Sequence, residues 1–432
     1  KPFRPSKPAD PTSMPRSKNA PRGKPGRPKP LNVKPMRDAG KPKQKTEGGS
    51  KPAQPYRQSF TARPTVRIDL DVIKQNYAAL QDLIGDVKIG ACVKADAYGL
   101  GLAPVSRSLY GAGCRTFFVA TAGEGKMLRE AIGENATIYV LNGPAPQDLT
   151  LYFAFRLKPV INSLAQARMW VNEADRAKHA PFTALHIDTG MNRLGMGIDE
   201  VDQLSKNTKL FKALGPDLVM SHLACAPDAA HPMNKTQLDL FRSASSRLPV
   251  LPLSLANSAG IYLGKPYHFQ MVRPGISLYG GQASTNKKQE VTQSAVSLMA
   301  PVLQVRNIKK GATIGYNATY TAERDMKIAV LGAGYADGIP ISASSGARKD
   351  ERTASCATLM KKRVPIIGRV SMDTTIVDIS AFGKEPNPGE WAEFRGSNLE
   401  ADAHAIGTIN YELLTRIGSR CRRTYLKAGA KF

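Results

Sequence analysis

The chain lacks any run of about 18 apolar residues, so no segment of it reads as a transmembrane helix. No apolar stretch follows the basic residues at its start, which argues against a secretory signal. Cysteine is scarce: Cys92, Cys114, Cys225, Cys356 and Cys421 are an odd set with no CxxC pair. A disulfide framework or a zinc knuckle is therefore not expected, and a reducing, cytoplasmic compartment is. The six histidines show no HExxH or related spacing, so no metal site is expected either.

What is present is unevenly spread. The formal net charge is +26, and residues 1–64 hold 17 Lys and Arg against 3 Asp and Glu. The same stretch holds 14 of the 31 prolines, with repeated Lys-Pro steps and few apolar residues. Such a segment buries too little surface to offset chain entropy, and a disordered basic tail is expected over 1–64. Its role is either plain solvation or electrostatic contact with nucleic acid or another anionic surface. Only Phe3, Tyr56 and Phe60 could stack on bases there, so a recognition module is not expected. Loss of residues 1–64 without loss of nucleic-acid affinity at low salt would remove the second reading.

From Thr65 onward, short β-rich runs alternate with helical stretches. Candidate strands are 87–93, 115–120, 137–141, 158–161, 183–187, 218–222, 252–255 and 269–273. Strands that alternate with helices pair in parallel. Eight such units over 65–293 point to a (β/α)8, TIM-like barrel, with an open doubly wound sheet as the alternative. After about residue 293 the pattern becomes alternating strands at 302–308, 327–331, 364–367 and 375–379, separated by Gly and Pro turns. A smaller, mostly β domain over 294–432 is expected. The run Ile328-Ala-Val-Leu-Gly332-Ala-Gly334 imitates a dinucleotide loop, but the sixth position of GxGxxG is Asp337 and no helical pattern follows, so a Rossmann site is rejected.

In a barrel, function collects at the C-terminal ends of the strands. There the sequence places Lys94, the Asp188–Arg193 segment, Ser221-His222, Asn257-Ser258 and Arg273-Pro-Gly275-Ile276. A lysine past an apolar strand, crowded by cations, can become a neutral nucleophile, although a lone lysine there is more often ordinary surface. Ser258 with Gly275-Ile276 offers a hydroxyl and close backbone N–H groups of the kind that hold phosphate, or simply turn chemistry. His222 is an acid/base group or a member of a hydrogen-bond network, and the second reading is preferred. A nucleophilic lysine with phosphate loops points to a Schiff-base cofactor.

The literal motifs resemble the alanine racemase family. They are Val93-Lys-Ala-Asp-Ala-Tyr-Gly99, Asp188-Thr-Gly-Met-Asn-Arg-Leu-Gly195, Ala256-Asn-Ser-Ala259, Val272-Arg-Pro-Gly-Ile276, Ile314-Gly-Tyr-Asn-Ala-Thr-Tyr-Thr-Ala322, Gly334-Tyr-Ala-Asp-Gly338, Gly368-Arg-Val-Ser-Met-Asp373 and Asn410-Tyr-Glu412. The resemblance runs from about Thr65 to Arg422. It implies a pyridoxal 5'-phosphate enzyme that interconverts L- and D-alanine for peptidoglycan, working as a head-to-tail homodimer with shared sites. Lys94 matches the lysine that carries the cofactor and acts as base toward D-alanine. Tyr316 matches the base toward L-alanine, supplied by the partner subunit. Tyr98, Ser258, Gly275, Ile276 and Tyr411 match phosphate contacts. Arg193 matches the arginine near the cofactor phenolic oxygen and the substrate, and Met372 a backbone contact to substrate. Tyr335 and Asp373 match entrance residues, and His222 a histidine in the network around the tyrosine base. Arg273 matches the arginine facing the pyridine nitrogen, which a guanidinium leaves unprotonated, so transamination should be suppressed.

One departure concerns the carbamylated lysine that many members carry two residues before Asp-Thr-Gly, where it orients the arginine. His186 stands there and cannot hold the carbamate, which leaves Arg193 to another anion or to Asp188. Asn192 and Asn317, positions that are often glycine in the family, are milder departures expected to bear on pocket shape. Three other functions compete: a racemase of broader specificity, a basic amino-acid decarboxylase on a related barrel, and a non-catalytic cofactor carrier. Arg273 and Tyr316 argue against the second, and the C-terminal domain against the third.

Overall fold

In the computed structural model, residues 63–178, 182–285, 290–345, 355–396 and 399–427 are described. The expected tail, residues 1–64, lies outside the described residues except for its last two. Eight strands form the barrel wall: β2 (Lys88–Cys92), β3 (Thr116–Val119), β4 (Thr137–Val140), β5 (Lys158–Ile161), β6 (Thr183–His186), β7 (Pro216–Met220), β8 (Leu253–Ser254) and β9 (Met271–Val272). They follow β1 (Thr65–Asp69), which belongs elsewhere. Each barrel strand pairs in parallel with the next in sequence as far as β8, and β9 pairs with β2. The seam between β8 and β9 is joined by a bridge at Asn257 and Arg273 and by the Arg273 N–H bond to Ala256 O at 2.8 Å. The near-closed barrel holds and the open-sheet alternative does not.

The local reasons are visible in each unit. Strand β3 reads Thr-Phe-Phe-Val, with Phe117, Phe118 and Val119 fully buried, as a strand covered on both faces requires. The helix Leu70–Ile84 buries Leu70, Ile73, Tyr77, Leu80 and Ile84 on one stripe, the spacing of an amphipathic helix. Asp69 Oδ1 caps it by accepting the N–H groups of Asp71 and Val72, each at 3.0 Å, and its loss costs about 1 kcal/mol.

The second domain contains β10 (Val296–Ile308), β11 (Thr313–Ile314), β12 (Tyr320–Thr321), β13 (Met326–Leu331), β14 (Cys356–Leu359), β15 (Lys362–Pro365), β16 (Thr375–Asp378), β17 (Trp391–Arg395) and β18 (Arg422–Leu426). Its sheet runs β15-β14-β17-β10-β1-β18, with β13 and β16 branching from β10. The first half of β10 pairs with β1 and β17, and the second half with β13, with a register shift between Val302 and Gln304. Strand β1 therefore lies in the β domain's sheet, although the eight barrel strands follow it in sequence. Short helices at Leu399–Ile406 and Asn410–Thr415 complete the domain. No helix enters at Gly332–Gly334; a short 3-10 turn covers Tyr335–Asp337 instead. The Asp337 carboxylate is buried and accepts the Gly334 N–H at 2.9 Å, so the glycines serve a structural turn.

Candidate active site

Lys94 follows β2 by two residues, half-buried at the C-terminal end of the barrel. The chain then takes an unusual course. Ala95, Asp96, Ala97 and Tyr98 all adopt left-handed helical angles, with φ from 52° to 59° and ψ from 36° to 51°. For residues with a Cβ this costs about 1–2 kcal/mol each, so neighbouring groups must hold the turn. Glu124 Oε1 accepts the Ala95 N–H at 2.7 Å, and Asp96 Oδ1 accepts that of Leu102 at 2.7 Å. Strand β18 fastens the far end: Arg423 Nε donates to Gly99 O at 2.9 Å, and Tyr425 Oη to Leu100 O at 3.0 Å. A Cβ on Gly101 would stand 2.0 Å from the Tyr425 hydroxyl, so only glycine admits this clamp.

Opposite Lys94, the loops after β8 and β9 meet. Ser258 Oγ accepts the N–H groups of Gly275 at 2.9 Å and Ser277 at 3.3 Å. A Cβ on Gly275 would fall 2.1 Å from Tyr98 Oη, so the phenol lies directly on that backbone. The Tyr98 ring stands 5.0 Å from Tyr279 and 6.1 Å from Tyr411. Burial pushes the Tyr98 and Tyr411 phenols up, with Cys92 and Glu290 among the neighbours that add to it. Both remain neutral hydrogen-bond donors at any physiological pH. Ile276 is fully buried beside them.

Between these two ends lies a cavity of about 300 Å³ lined by Lys94, Tyr98, Arg193, His222, Ser258, Arg273, Gly275 and Tyr411, among others. That is at the small end of the range for ligand cavities. A larger recess of about 550 Å³ opens at the other end of the barrel. There Tyr139 and Lys158 both bond Asp217, so its main polar groups already partner one another. Convergent polar groups at strand C-termini, rather than size, single out the first cavity.

Arg273 is buried in the barrel mouth and donates to Ser254 Oγ, Ser221 O and Leu255 O. Burial lowers its pKa to about 10, so it stays protonated at neutral pH. His222 is held well below the usual imidazole range by desolvation and then by the Arg273, Arg193 and Lys94 cations. It is therefore a neutral imidazole with one acceptor nitrogen.

The departure at His186 has a physical form. Its Nδ1 lies 2.7 Å from Asn162 Oδ1, and Asn162 Nδ2 donates to Leu141 O and Val160 O, each at 3.1 Å. With the amide fixed this way, Nδ1 must carry the proton and Nε2 is left as an acceptor. Desolvation, then Arg273 and Arg193, lower His186 to about 4 against the opposing pull of Asp188. Asp188 does not reach Arg193: its Oδ1 accepts the N–H groups of Gly190 at 2.9 Å, Met191 at 2.9 Å and Asn192 at 3.2 Å. Arg193 itself is exposed, with no ion-pair partner among the described residues. Asn192 and Asn317 have φ of 54° and 61°, the left-handed region that asparagine tolerates best after glycine. Both therefore take up a conformation that glycine adopts freely.

Tyr316 stands on a 3-10 turn between β11 and β12, 67% exposed, and does not line the cavity of its own chain. Tyr335, Met372 and Asp373 also lie outside that cavity, exposed and grouped by backbone bonds from Tyr335 N to Ser371 O and from Ala336 N to Met372 O. Sequence reasoning missed Glu124, Asn162, Arg423 and Tyr425. The Thr121-x-x-Glu124 capping box was a readable signal for Glu124; the other three act from a distance with no local signature.

Two family matches cover the described fold: alanine racemase, N-terminal domain, over residues 68–283, and alanine racemase, C-terminal domain, over 295–425. An alanine racemase of Rickettsia africae is 39% identical over 365 residues, spanning 84% of this chain and 99% of that protein. A catabolic alanine racemase of Agrobacterium fabrum is 40% identical, spanning 84% and 92%. The crystal structure of alanine racemase from Bartonella henselae, with covalently bound pyridoxal phosphate, superposes with a TM-score of 0.79 at 34% identity, covering 85% of this chain and all of that one. With both domains matched and a relative 39% identical over nearly its whole length, the chain belongs to the alanine racemase family.

Proposed function

We propose that this chain interconverts L- and D-alanine with pyridoxal 5'-phosphate held at Lys94. The observation that carries the reading is the cavity in which Lys94 faces Arg273 and the Ser258–Gly275 cradle. The residues fit the cofactor: the neutral Tyr98 and Tyr411 phenols and the Ser258 loop suit phosphate oxygens, and the Tyr98 hydroxyl lies so close on the Gly275 backbone that only glycine leaves the cradle open. Ile276 backs this cradle. When bound, pyridoxal phosphate supplies the electron-withdrawing ring that acidifies the α-hydrogen of an amino acid.

The chain's own groups do the rest. Lys94 Nζ anchors the cofactor and moves a proton on one face of the substrate. The partner subunit's Tyr316 moves a proton on the other face, because inversion needs bases on opposite sides. Arg273, a guanidinium with donors only, would favour an unprotonated pyridine nitrogen beside it. Arg193 binds the substrate carboxylate, with His186 Nε2 as the acceptor in place of the family's carbamate. His222 joins the network around the tyrosine, Met372 contacts substrate, and Tyr335 and Asp373 line the entrance.

The position of Tyr316 supports a homodimer. It is exposed and outside its own chain's cavity, as the exposed Tyr335 and Met372 are. A head-to-tail pair would bring each Tyr316 to the other chain's Lys94. No helix among the described residues is long and apolar enough to cross a membrane, and the five cysteines are free thiols. Both fit work in the cytoplasm, with D-alanine passing to peptidoglycan synthesis. Incubation with L-alanine in deuterated water tests the reading: inversion with one α-deuterium per turnover is expected. Exchange without inversion contradicts the two-base scheme.

A further inference from the structure

Arg420 links two chain segments, one at Asp337 and one at Met372–Asp373. Its Nε and one Nη bond both oxygens of Asp337, at 2.7 and 2.8 Å, and that carboxylate is 0% exposed. The other Nη bonds Asp373 Oδ1 at 2.6 Å, and a longer contact of 3.4 Å reaches Met372 O. Asp337 is itself fixed by the Gly334 N–H, and the Ser371–Met372 carbonyls accept from Tyr335 and Ala336.

A planar guanidinium can grip one carboxylate with two parallel bonds and still present a third nitrogen in a fixed direction; an ammonium cannot. Asp373 is 62% exposed on its side chain and nothing else described holds it. Its direction therefore comes from the buried half of the link.

We infer that Arg420 is a positioning residue: anchored on buried Asp337, it sets the Met372–Asp373 segment and the adjoining Tyr335 turn where substrate passes. The inference rests on the reading of Met372 as a substrate contact. Arg420 touches no reacting atom and acts through the segment it holds.

The test uses the full chain as purified with its cofactor. Arg420→Lys keeps a cation against Asp337 but loses the third bond. Asp373→Asn leaves the buried pair whole and reads the same link without burdening the fold. Each is expected to raise KM for alanine about threefold to fivefold, the range of a partly exposed ion pair, with kcat held within about twofold. The double variant should show no further rise, because both changes cut one link. Amide hydrogen exchange over Ser371–Thr374 should quicken in both. An unchanged KM in Asp373→Asn, or a double variant whose rise is the product of the singles, overturns the inference. Unchanged exchange overturns it too, and does so even for a protein that racemises no alanine, in which case the functional reading fails separately.

Discussion

The two proposed bases, Lys94 and Tyr316, are held in different ways. Lys94 is fixed within the barrel mouth by the turn that follows it, while Tyr316 projects from a hairpin tip into solvent. A phenol at that tip contributes only to the proton it meets, so its loss should not be symmetrical. Tyr316→Phe is expected to slow removal of the α-hydrogen from L-alanine more than from D-alanine, by on the order of tenfold or more. The α-deuterium isotope effect should then grow for the L substrate only. Equal effects for both enantiomers would count against the assignment.

His186 makes a second prediction at this scale. Its folded pKa of about 4 lies below the ordinary 6.5, so the unfolded chain takes up the proton first. The stability tied to neutral His186 is complete above pH 6.5 and is lost as pH falls toward 4. It amounts to about 3 kcal/mol at most. The groups that set it are Arg273, Arg193 and Asp188, besides burial. Melting curves of His186→Gln should lose stability less steeply between pH 6.5 and 4 than the parent. Identical slopes would show that this imidazole does not carry the acid sensitivity.

At the scale of elements, the left-handed turn at Ala95–Tyr98 matters most. Glu124 holds its first N–H, and the same carboxylate accepts from Ala120 at 2.7 Å, linking the ends of β2 and β3. Glu124→Ala is expected to cost about 2 kcal/mol through two lost charge-assisted bonds. It should also weaken cofactor retention, measured by melting and by dialysis. A stable variant with unchanged retention would mean that the turn is held by β18 alone.

The eight barrel strands were legible because Val, Ile and Phe runs such as Phe117–Val119 alternate with capped amphipathic helices. The turn was not, because Ala-Asp-Ala-Tyr carries no glycine to announce positive φ. Its support arrives from Arg423 and Tyr425, more than 300 positions later. Strands β14, β17 and β18 escaped for a related reason: Arg422–Leu426 and Trp391–Arg395 are half polar and gain their order from neighbours in the sheet. The motifs made legible the cavity lining of Lys94, Tyr98, Arg193, His222, Ser258, Arg273, Gly275 and Tyr411, while Tyr316, Tyr335, Met372 and Asp373 lie outside that cavity. The supports of that site were not, since Asn162 reaches His186, and Arg420 reaches Asp337 and Asp373, across sequence separations that leave no local pattern.

For the whole molecule, β1 and β18 bind the two halves of the chain together. Strand β1 precedes the barrel yet pairs with β10 and β18 in the β domain, and β18 clamps the turn that carries Lys94. The domain bearing Tyr316 is thus built into the framework that positions Lys94. Within one chain, however, Tyr316 stays outside the Lys94 cavity.

In the proposed dimer each active site takes Lys94 from one chain and Tyr316 from the other. Lys94→Ala and Tyr316→Phe, each nearly inactive alone, should therefore complement when unfolded together and refolded in equal amounts. Half the dimers would be mixed, and each mixed dimer would hold one site with both bases intact. Alanine racemisation is expected to return to about one quarter of the unsubstituted level, by the symmetry of a two-fold pair. A mixture no more active than the sum of its two components would contradict the shared site.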